Sequence, residues 1–393
     1  MILQRELFTE TNYRAKDRDK ELVFREIFGC DGVSQKELLD KHKIHPNALS
    51  SAVKELRADG LIYESERRTH GRQGRPEIKF VANKTRLVAL AIFVESLEHR
   101  AAVLDLSGNV IFETVHHLPK SAKKRDLEAI YDKILNQLRS NVPASSQLVG
   151  CGISLVGNVN PSKLLWVESE RWPNIKEFSF RPLADKHDIE IRIGRDLDHA
   201  LANELSEHTS YCHGGTLLLH WGAGIGFSYA NEGRILHSRF GRFGTIGHSF
   251  VNVGPRGEPK ADFEDYASVQ AVIASMGEDG KNLTEDEREF AEYLSSSGCD
   301  APSLDRAVGY MRTCLLNVLV LLYPERILFL GPFAEQPKIL RELESRVRKA
   351  SLPHPVNITT EFIPIHGGYR GCLFGSTYQL FRRQLREYLL FRA

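Results

Sequence analysis

No two cysteines in this 393-residue chain stand at Cys-x-x-Cys spacing. The six present (Cys30, Cys151, Cys212, Cys299, Cys314 and Cys372) are scattered, which argues against a disulfide framework or a cysteine-rich zinc site. Reduced thiols of this kind suit a cytoplasmic chain. Excess charge is lacking too: 52 Lys and Arg stand against 51 Asp and Glu, so the chain is no globally basic nucleic-acid coat. No apolar run approaches a membrane span, and the opening Met1-Ile-Leu-Gln-Arg-Glu-Leu-Phe8 carries charges inside its apolar stretch, unlike a signal peptide. What is present is ordinary globular composition, 42% hydrophobic and 26% charged, in a chain long enough for two or three cores.

The first 84 residues read as a separate head. Leu22, Val23, Ile27 and Phe28 form a helical stripe over residues 19–28, with Gly29 and Gly32 at its stop. Ser34-Gln-Lys-Glu37 is a capping box that opens a short second helix to about residue 42. Pro46 suits the first position of a third helix, which runs to about residue 58 and stops at Gly60. Leu49, Ala52, Val53 and Leu56 share one face of it, and Asn47, Ser50, Ser51 and Lys54 the other. This is the pattern of a helix-turn-helix. Its candidate DNA contacts are Ser34 and Gln35 on the second helix, with Asn47, Ser50 and Ser51 near base edges and Lys54 and Arg57 nearer phosphates.

Two short strands, residues 61–64 and 78–81, then flank a basic tip carrying Arg67, Arg68, Arg72 and Arg75, with no acid between residues 67 and 75. A charge run alone is usually a solvated loop. After a recognition helix it reads as a wing, and Gly71-Arg-Gln-Gly-Arg-Pro76 can lie in a narrow minor groove, where arginine is favoured.

From Arg86 the pattern changes to strands at 87–93, 100–106 and 110–115, a helix at 125–138, strands at 148–155 and 190–193, and a helix at 197–207. A second group begins near Thr216. Its elements are a glycine hairpin, helices at 266–276, 286–295 and 303–322, a strand at 326–330, a helix at 335–349, a strand at 358–362 and a final helix from 371. Strands alternating with helices in two groups predict an α/β body. Leu217 to Leu219 run into Trp221-Gly-Ala-Gly-Ile-Gly226, a turn whose backbone comes close to something, either a phosphate or a neighbouring strand.

That turn is followed by Gly244-Thr-Ile-Gly-His248 and Glu264-Asp-Tyr-Ala-Ser268. With the winged head, this order resembles the ROK family of sugar kinases and sugar-responsive repressors over essentially the whole chain. The resemblance implies an N-terminal winged helix-turn-helix (1–84) followed by a two-lobed actin-like domain. Lobe 1 spans 85–195, completed by residues 371–393, and lobe 2 spans 196–370. It also implies that the last helix folds back towards lobe 1 and the head. Asp196 would correspond to the catalytic base of the family's kinases, and His248 and Glu264 to ligand positions.

Several departures bear on chemistry. The first phosphate loop, Asp-x-Gly-Gly-Thr in kinases of the family, is replaced by Ile92-Phe-Val-Glu-Ser-Leu-Glu98, which has no glycine. Arg195 stands where the family has asparagine, and Thr245 where it has glutamate. Of the family's zinc ligands only His248 is present, so neither metal nor cofactor is expected. The resemblance therefore implies a regulator, expected to repress carbohydrate-metabolism genes, with a catalytically inactive body. It would act as a homodimer or homotetramer on a palindromic double-stranded operator, away from membranes. Its effector residues would be Arg195, Asp196, Thr245, His248 and Glu264, and a guanidinium at 195 favours an anionic sugar derivative. Local readings stand beside these: Asp196 as a helix cap, Arg195 in a salt bridge with Asp196, Asp198 or Glu264, and the glycines as a tight hairpin. The rival functions are a sugar kinase carrying a DNA-binding head and a regulator that ignores sugars.

Overall fold

The computed structural model describes residues 13–65, 78–95, 97–169, 172–238, 243–253, 259–297, 302–350, 359–366 and 368–390. In the head, helix α1 (Ala15–Phe28) buries Val23, Phe24, Ile27 and Phe28. Strand β1 (Val33–Ser34) leads into α2 (Gln35–Lys41), and α3 (Pro46–Ala58) buries Leu49, Ala52, Val53 and Leu56 against α1. Strands β2 (Ile62–Ser65) and β3 (Lys79–Ala82) complete a small antiparallel sheet in the order β1-β3-β2. Lys20 of α1 is fully buried, its Nζ 2.7 Å from Glu55 Oε2 and 3.7 Å from Asp59 Oδ2, so an ion cluster ties α1 to the end of α3.

The first lobe is built on β4 (Leu87–Glu95), β5 (Glu98–Asp105) and β6 (Val110–His117), three antiparallel strands, with β7 (Gln147–Leu155) and β11 (Ile191–Arg195) added in parallel. The sheet order is β11-β7-β4-β5-β6. Central β4 is apolar throughout because both of its faces are covered. Val88, Leu90, Ile92 and Val94 face Leu127, Tyr131, Ile134 and Leu138 of α4 (Lys124–Ser140). Leu87, Ala89, Ala91 and Phe93 belong instead to a core shared with the last helix and the head. Between β7 and β11 the chain makes a three-stranded ladder, β8 (Asn158–Asn160), β9 (Leu165–Glu168) and β10 (Lys176–Ser179), then α5 (Arg181–His187).

Helix α6 (Asp196–Glu207) leads to a second five-stranded sheet, ordered β14-β13-β12-β17-β18. The hairpin of β12 (Gly215–Trp221) and β13 (Ile225–Asn231) is extended by β14 (Arg234–Ile235). Next come β15 (Phe250–Val253) paired with β16 (Pro259–Asp262), then α7 (Glu264–Ala267), α8 (Val269–Ser275), α9 (Glu287–Ser297) and α10 (Pro302–Leu322). Strand β17 (Arg326–Leu330), helix α11 (Pro337–Arg348), strand β18 (Glu361–Pro364) and helix α12 (Gly368–Leu389) finish the chain. Both large sheets thus repeat one plan, three antiparallel strands joined by two parallel ones.

Some expected boundaries shift. The strand expected at 358–362 forms at Glu361–Pro364, pairing with Arg326 to Phe329 of β17. The one expected at 190–193 forms at Ile191–Arg195, because its register against β7 continues to Leu155. The final helix starts at Gly368, three residues early. The ladders β8–β10 and β15–β16 were not foreseen, since strands of three or four residues carry too little alternation to read. Among the described residues, no helix is long and apolar enough to cross a membrane.

Candidate functional site

In the head, Asn47, Ser50, Ser51, Lys54 and Arg57 are all exposed on the outer face of α3. Between the start of α2, α3 and the wing strands lies an open groove of about 710 Å³, lined among others by Gln35, Lys36, Ser50, Lys54 and Arg57. Lys36 was missed by sequence reading, because one lysine after a capping serine carries no signal of its own. Arg57 is not wholly free for phosphate, as its Nη1 lies 2.7 Å from Glu64 Oε1 on β2. Ser34 also lines that groove, and the capping box expected from the sequence forms there. It is buried, its Oγ accepts from the Glu37 amide at 3.2 Å, and its own amide donates to Glu37 Oε2 at 2.8 Å. Arg67, Arg68, Arg72 and Arg75 lie outside the described residues.

In the body, the candidate residues gather where β11 ends and the β12–β13 hairpin turns. Trp221 pairs with Ile225 in that hairpin, and the Gly222 amide donates to the Gly224 carbonyl at 3.3 Å. Arg195 is buried, and among the described residues its guanidinium donates to carbonyls: Nη2 to Phe227 O at 3.2 Å and Nη1 to Phe243 O. The salt bridge expected from Arg195 is thus replaced by backbone contacts, with Asp196 and Asp198 near enough to feel its charge. Those contacts pin the segment entering Gly244, whose carbonyl accepts from the Phe227 amide at 2.8 Å and whose φ of 82° favours glycine. Thr245 and His248 are exposed beyond it, and His248 Nδ1 lies 3.3 Å from Asp262 Oδ2. The pairing of Phe250 with Asp262 in the β15–β16 ladder sets that contact up. Glu264, at the start of α7, reaches beneath the glycine turn, where its Oε1 accepts from the Ile225 amide at 2.7 Å.

Asp196 opens α6. Burial raises its carboxyl, while Arg195 and His220 oppose that rise. Two residues on, Asp198 accepts from Ser228 Oγ at 2.7 Å and lies 3.3 Å from His237 Nδ1.

The residues missed in the sequence are those around His220 and Glu287. His220 Nδ1 lies 2.9 Å from the Gly224 carbonyl and Nε2 lies 3.0 Å from Glu287 Oε2. The carbonyl only accepts, so Nδ1 carries a proton; the carboxylate accepts from Nε2, so the ring is an imidazolium. Burial opposes that charge, but Glu287, by charge and hydrogen bond, with Asp196 and the Gly224 carbonyl, lifts the pKa to about 9. Glu287 Oε1 also accepts from the Ala223 amide at 2.7 Å. Two amides of the glycine turn, those of Ala223 and Ile225, therefore already hold carboxylates of the protein itself. Where the sequence departs from the family's first phosphate loop, the β4–β5 register pairs Glu95 with Glu98.

A protein-family model, the ROK family, matches residues 96–380. The xylose repressor of Bacillus spizizenii is 22% identical over 356 residues, covering 89% of this chain and 91% of that protein. Among solved structures, a ROK family transcriptional regulator described as a homolog of the E. coli MLC protein superposes with a TM-score of 0.72 at 19% identity. That match covers 95% of this chain and 98% of the regulator. The ROK hexokinase of Thermus thermophilus superposes with a TM-score of 0.58 at 16% identity, covering 76% of this chain and 99% of the hexokinase.

Proposed function

The chain belongs to the ROK family, and on that premise we propose that it is a DNA-binding transcriptional repressor of carbohydrate-metabolism genes. The reading divides it into a head (1–84), a first lobe (85–195 with 371–393) and a second lobe (196–370). The observation that carries it is the exposed polar face of α3, with Asn47, Ser50, Ser51 and Lys54 presented on a head packed for that purpose. Relatives named as repressors support it.

The body acts as a sensor and not as a kinase. Kinases belong to the same family, so the distinction rests on this chain's own residues. Phosphoryl transfer depends on positioned amides and cations that hold the phosphates. Here the turn amides of Ala223 and Ile225 are taken by Glu287 and Glu264, and the first-loop position is a glycine-free hairpin. A sugar or sugar derivative would enter beside Asp196, Thr245, His248 and Glu264. Arg195 shapes that wall through Phe227 and Phe243 and is less available for an anionic sugar than its sequence position suggests. A two-fold dimer presents two heads to a palindromic operator, and the two half-site affinities combine. Ligand changes DNA affinity only if it binds the two states of the body unequally.

The test is binding of the purified chain to genomic fragments at fixed salt, with and without a sugar panel, alongside an ATP-phosphorylation assay. Tight binding to a palindrome that one sugar alters is the expected result. Binding that no sugar alters retires the sensor, and sugar phosphorylation with sequence-blind binding restores the kinase.

A further inference from the structure

We propose that Glu64 is a specificity residue of the head: it holds the Arg57 guanidinium back from the phosphates of any duplex and releases it only where base contacts seat α3. The inference rests on the DNA-binding reading of the head. Arg57 stands in the last turn of α3, and its Nη1 lies 2.7 Å from Glu64 Oε1 on β2. Both residues line the groove between α2, α3 and the wing strands. Glu64 is the one carboxylate among the described residues of that groove, beside Lys36, Lys54 and Arg57. Among the described residues neither lysine is ion-paired, so Arg57 alone is restrained. Glu64 pairs with Phe80 across β2 and β3, which fixes its backbone and leaves Arg57, on the longer side chain, as the partner that moves.

Magnitudes decide what such a pair can do. The two side chains are 50% and 38% exposed, so the pair is solvated. An ion pair of that kind is worth at most about fivefold in an equilibrium constant. Non-specific binding, with dissociation constants of about 10⁻⁴–10⁻⁶ M drawn from roughly six to ten phosphate contacts, gives about fivefold per contact. Glu64 therefore offsets about one loose phosphate contact. On the operator, contacts from Asn47, Ser50 and Ser51 fix the distance to the backbone, and a bidentate guanidinium–phosphate pair formed there outweighs the carboxylate. A carboxylate repels phosphate, so its place in the groove disfavours duplexes that offer only their backbone.

Fluorescence anisotropy of the full chain on its best-bound genomic fragment and on a scrambled duplex of equal length, over a range of salt, tests this. The proteins are wild type, Glu64→Ala, Arg57→Ala and the double variant, a double-mutant cycle. Both side chains are exposed, so alanine leaves the core of the head intact. Glu64→Ala is expected to bind the scrambled duplex about fivefold more tightly, with a salt slope steeper by about one, and the genomic fragment within about twofold of wild type. In the Arg57→Ala background, Glu64→Ala is expected to change scrambled binding by less than about twofold. No gain on the scrambled duplex overturns the restraint on Arg57. A gain that persists without Arg57 means that the carboxylate acts on DNA directly, and it overturns the proposal too. Equal gains on both duplexes defeat the specificity role alone and leave the repressor reading standing. A wild type with no preference between the duplexes defeats the repressor reading and the proposal together.

Discussion

His99 sits in β5 with both ring nitrogens buried and without hydrogen-bond partners, 5.3 Å from the Tyr131 ring and 5.4 Å from that of Trp172. Burial, with smaller contributions from His116 and His117, holds its pKa down to about 3. The unfolded chain titrates this group near 6.5, so the folded state binds fewer protons between the two values. The stability it contributes is complete above about pH 6.5 and is lost as pH falls towards 3. His199, buried against Ser154 with a pKa lowered to about 4, adds in the same direction. Urea denaturation from pH 7 to 4.5 should therefore show falling stability, and His99→Phe should reduce the slope by up to about 1.4 kcal/mol per pH unit. An unchanged slope would mean that His99 is solvated in the folded protein. On the head, two single residues separate recognition from attraction. Asn47→Ala should cost about 1–3 kcal/mol on the operator and relax base preference, whereas Lys54→Ala should weaken all sequences alike and lower the salt slope by about one. Binding measured at several salt concentrations on operator and scrambled DNA distinguishes them.

Helix α12 shows how an element departs from its sequence signal. Gly371 and Gly375 count against a helix by propensity, and at Gly375 the missing side chain lets the helix approach its neighbour. A Cβ on Gly375 would collide with the His199 carbonyl of α6, and one on Gly152 of β7 would collide with the Ser376 backbone. Cys372 Sγ meets the Asp196 carbonyl at 3.5 Å, so α12 packs on the turn that carries the candidate effector residue. Alanine normally strengthens a helix over glycine by about 1 kcal/mol. Here Gly375→Ala should instead destabilise by about 1–3 kcal/mol through overpacking, read as a lower urea midpoint with an unchanged m-value. A gain in stability would show that α12 and α6 are not in close contact. Other elements were plain from sequence. The apolar and polar faces of α3, and Pro46 at its first turn, placed that helix at its observed bounds. The β8–β10 ladder was not plain, because its strands are too short for a period to accumulate.

Head and body meet through Arg86. Its Nε donates to the carbonyl of Asp59, the cap of α3, at 2.9 Å, and its Nη2 donates to Tyr388 Oη of α12 at 3.2 Å. Tyr388 in turn donates to Gln147 at the start of β7. The same helix that packs on the α6 turn at one end thus holds the end of the recognition helix at the other. Tyr388→Phe removes the hydroxyl between them and should raise hydrogen exchange over residues 57–61 while leaving the body sheets protected. Unchanged exchange there would mean that the head is anchored elsewhere.

Composition and local pattern sufficed for the existence of the head, the two faces of α3, the alternation of the body and the glycine turn, since each is written in residues close together in the chain. Periodicity and capping are short-range physics, and a single sequence carries them in full. The state of the site came only from folding. Glu287 is 64 residues beyond Ala223 in number, by their positions in the chain, yet it fills the turn that sequence alone left open to either phosphate or strand. Arg195 looked like a ligand group until two carbonyls, from Phe227 and Phe243, were seen to hold it. Long-range partners decide which polar groups remain available for a ligand, and no local pattern records them.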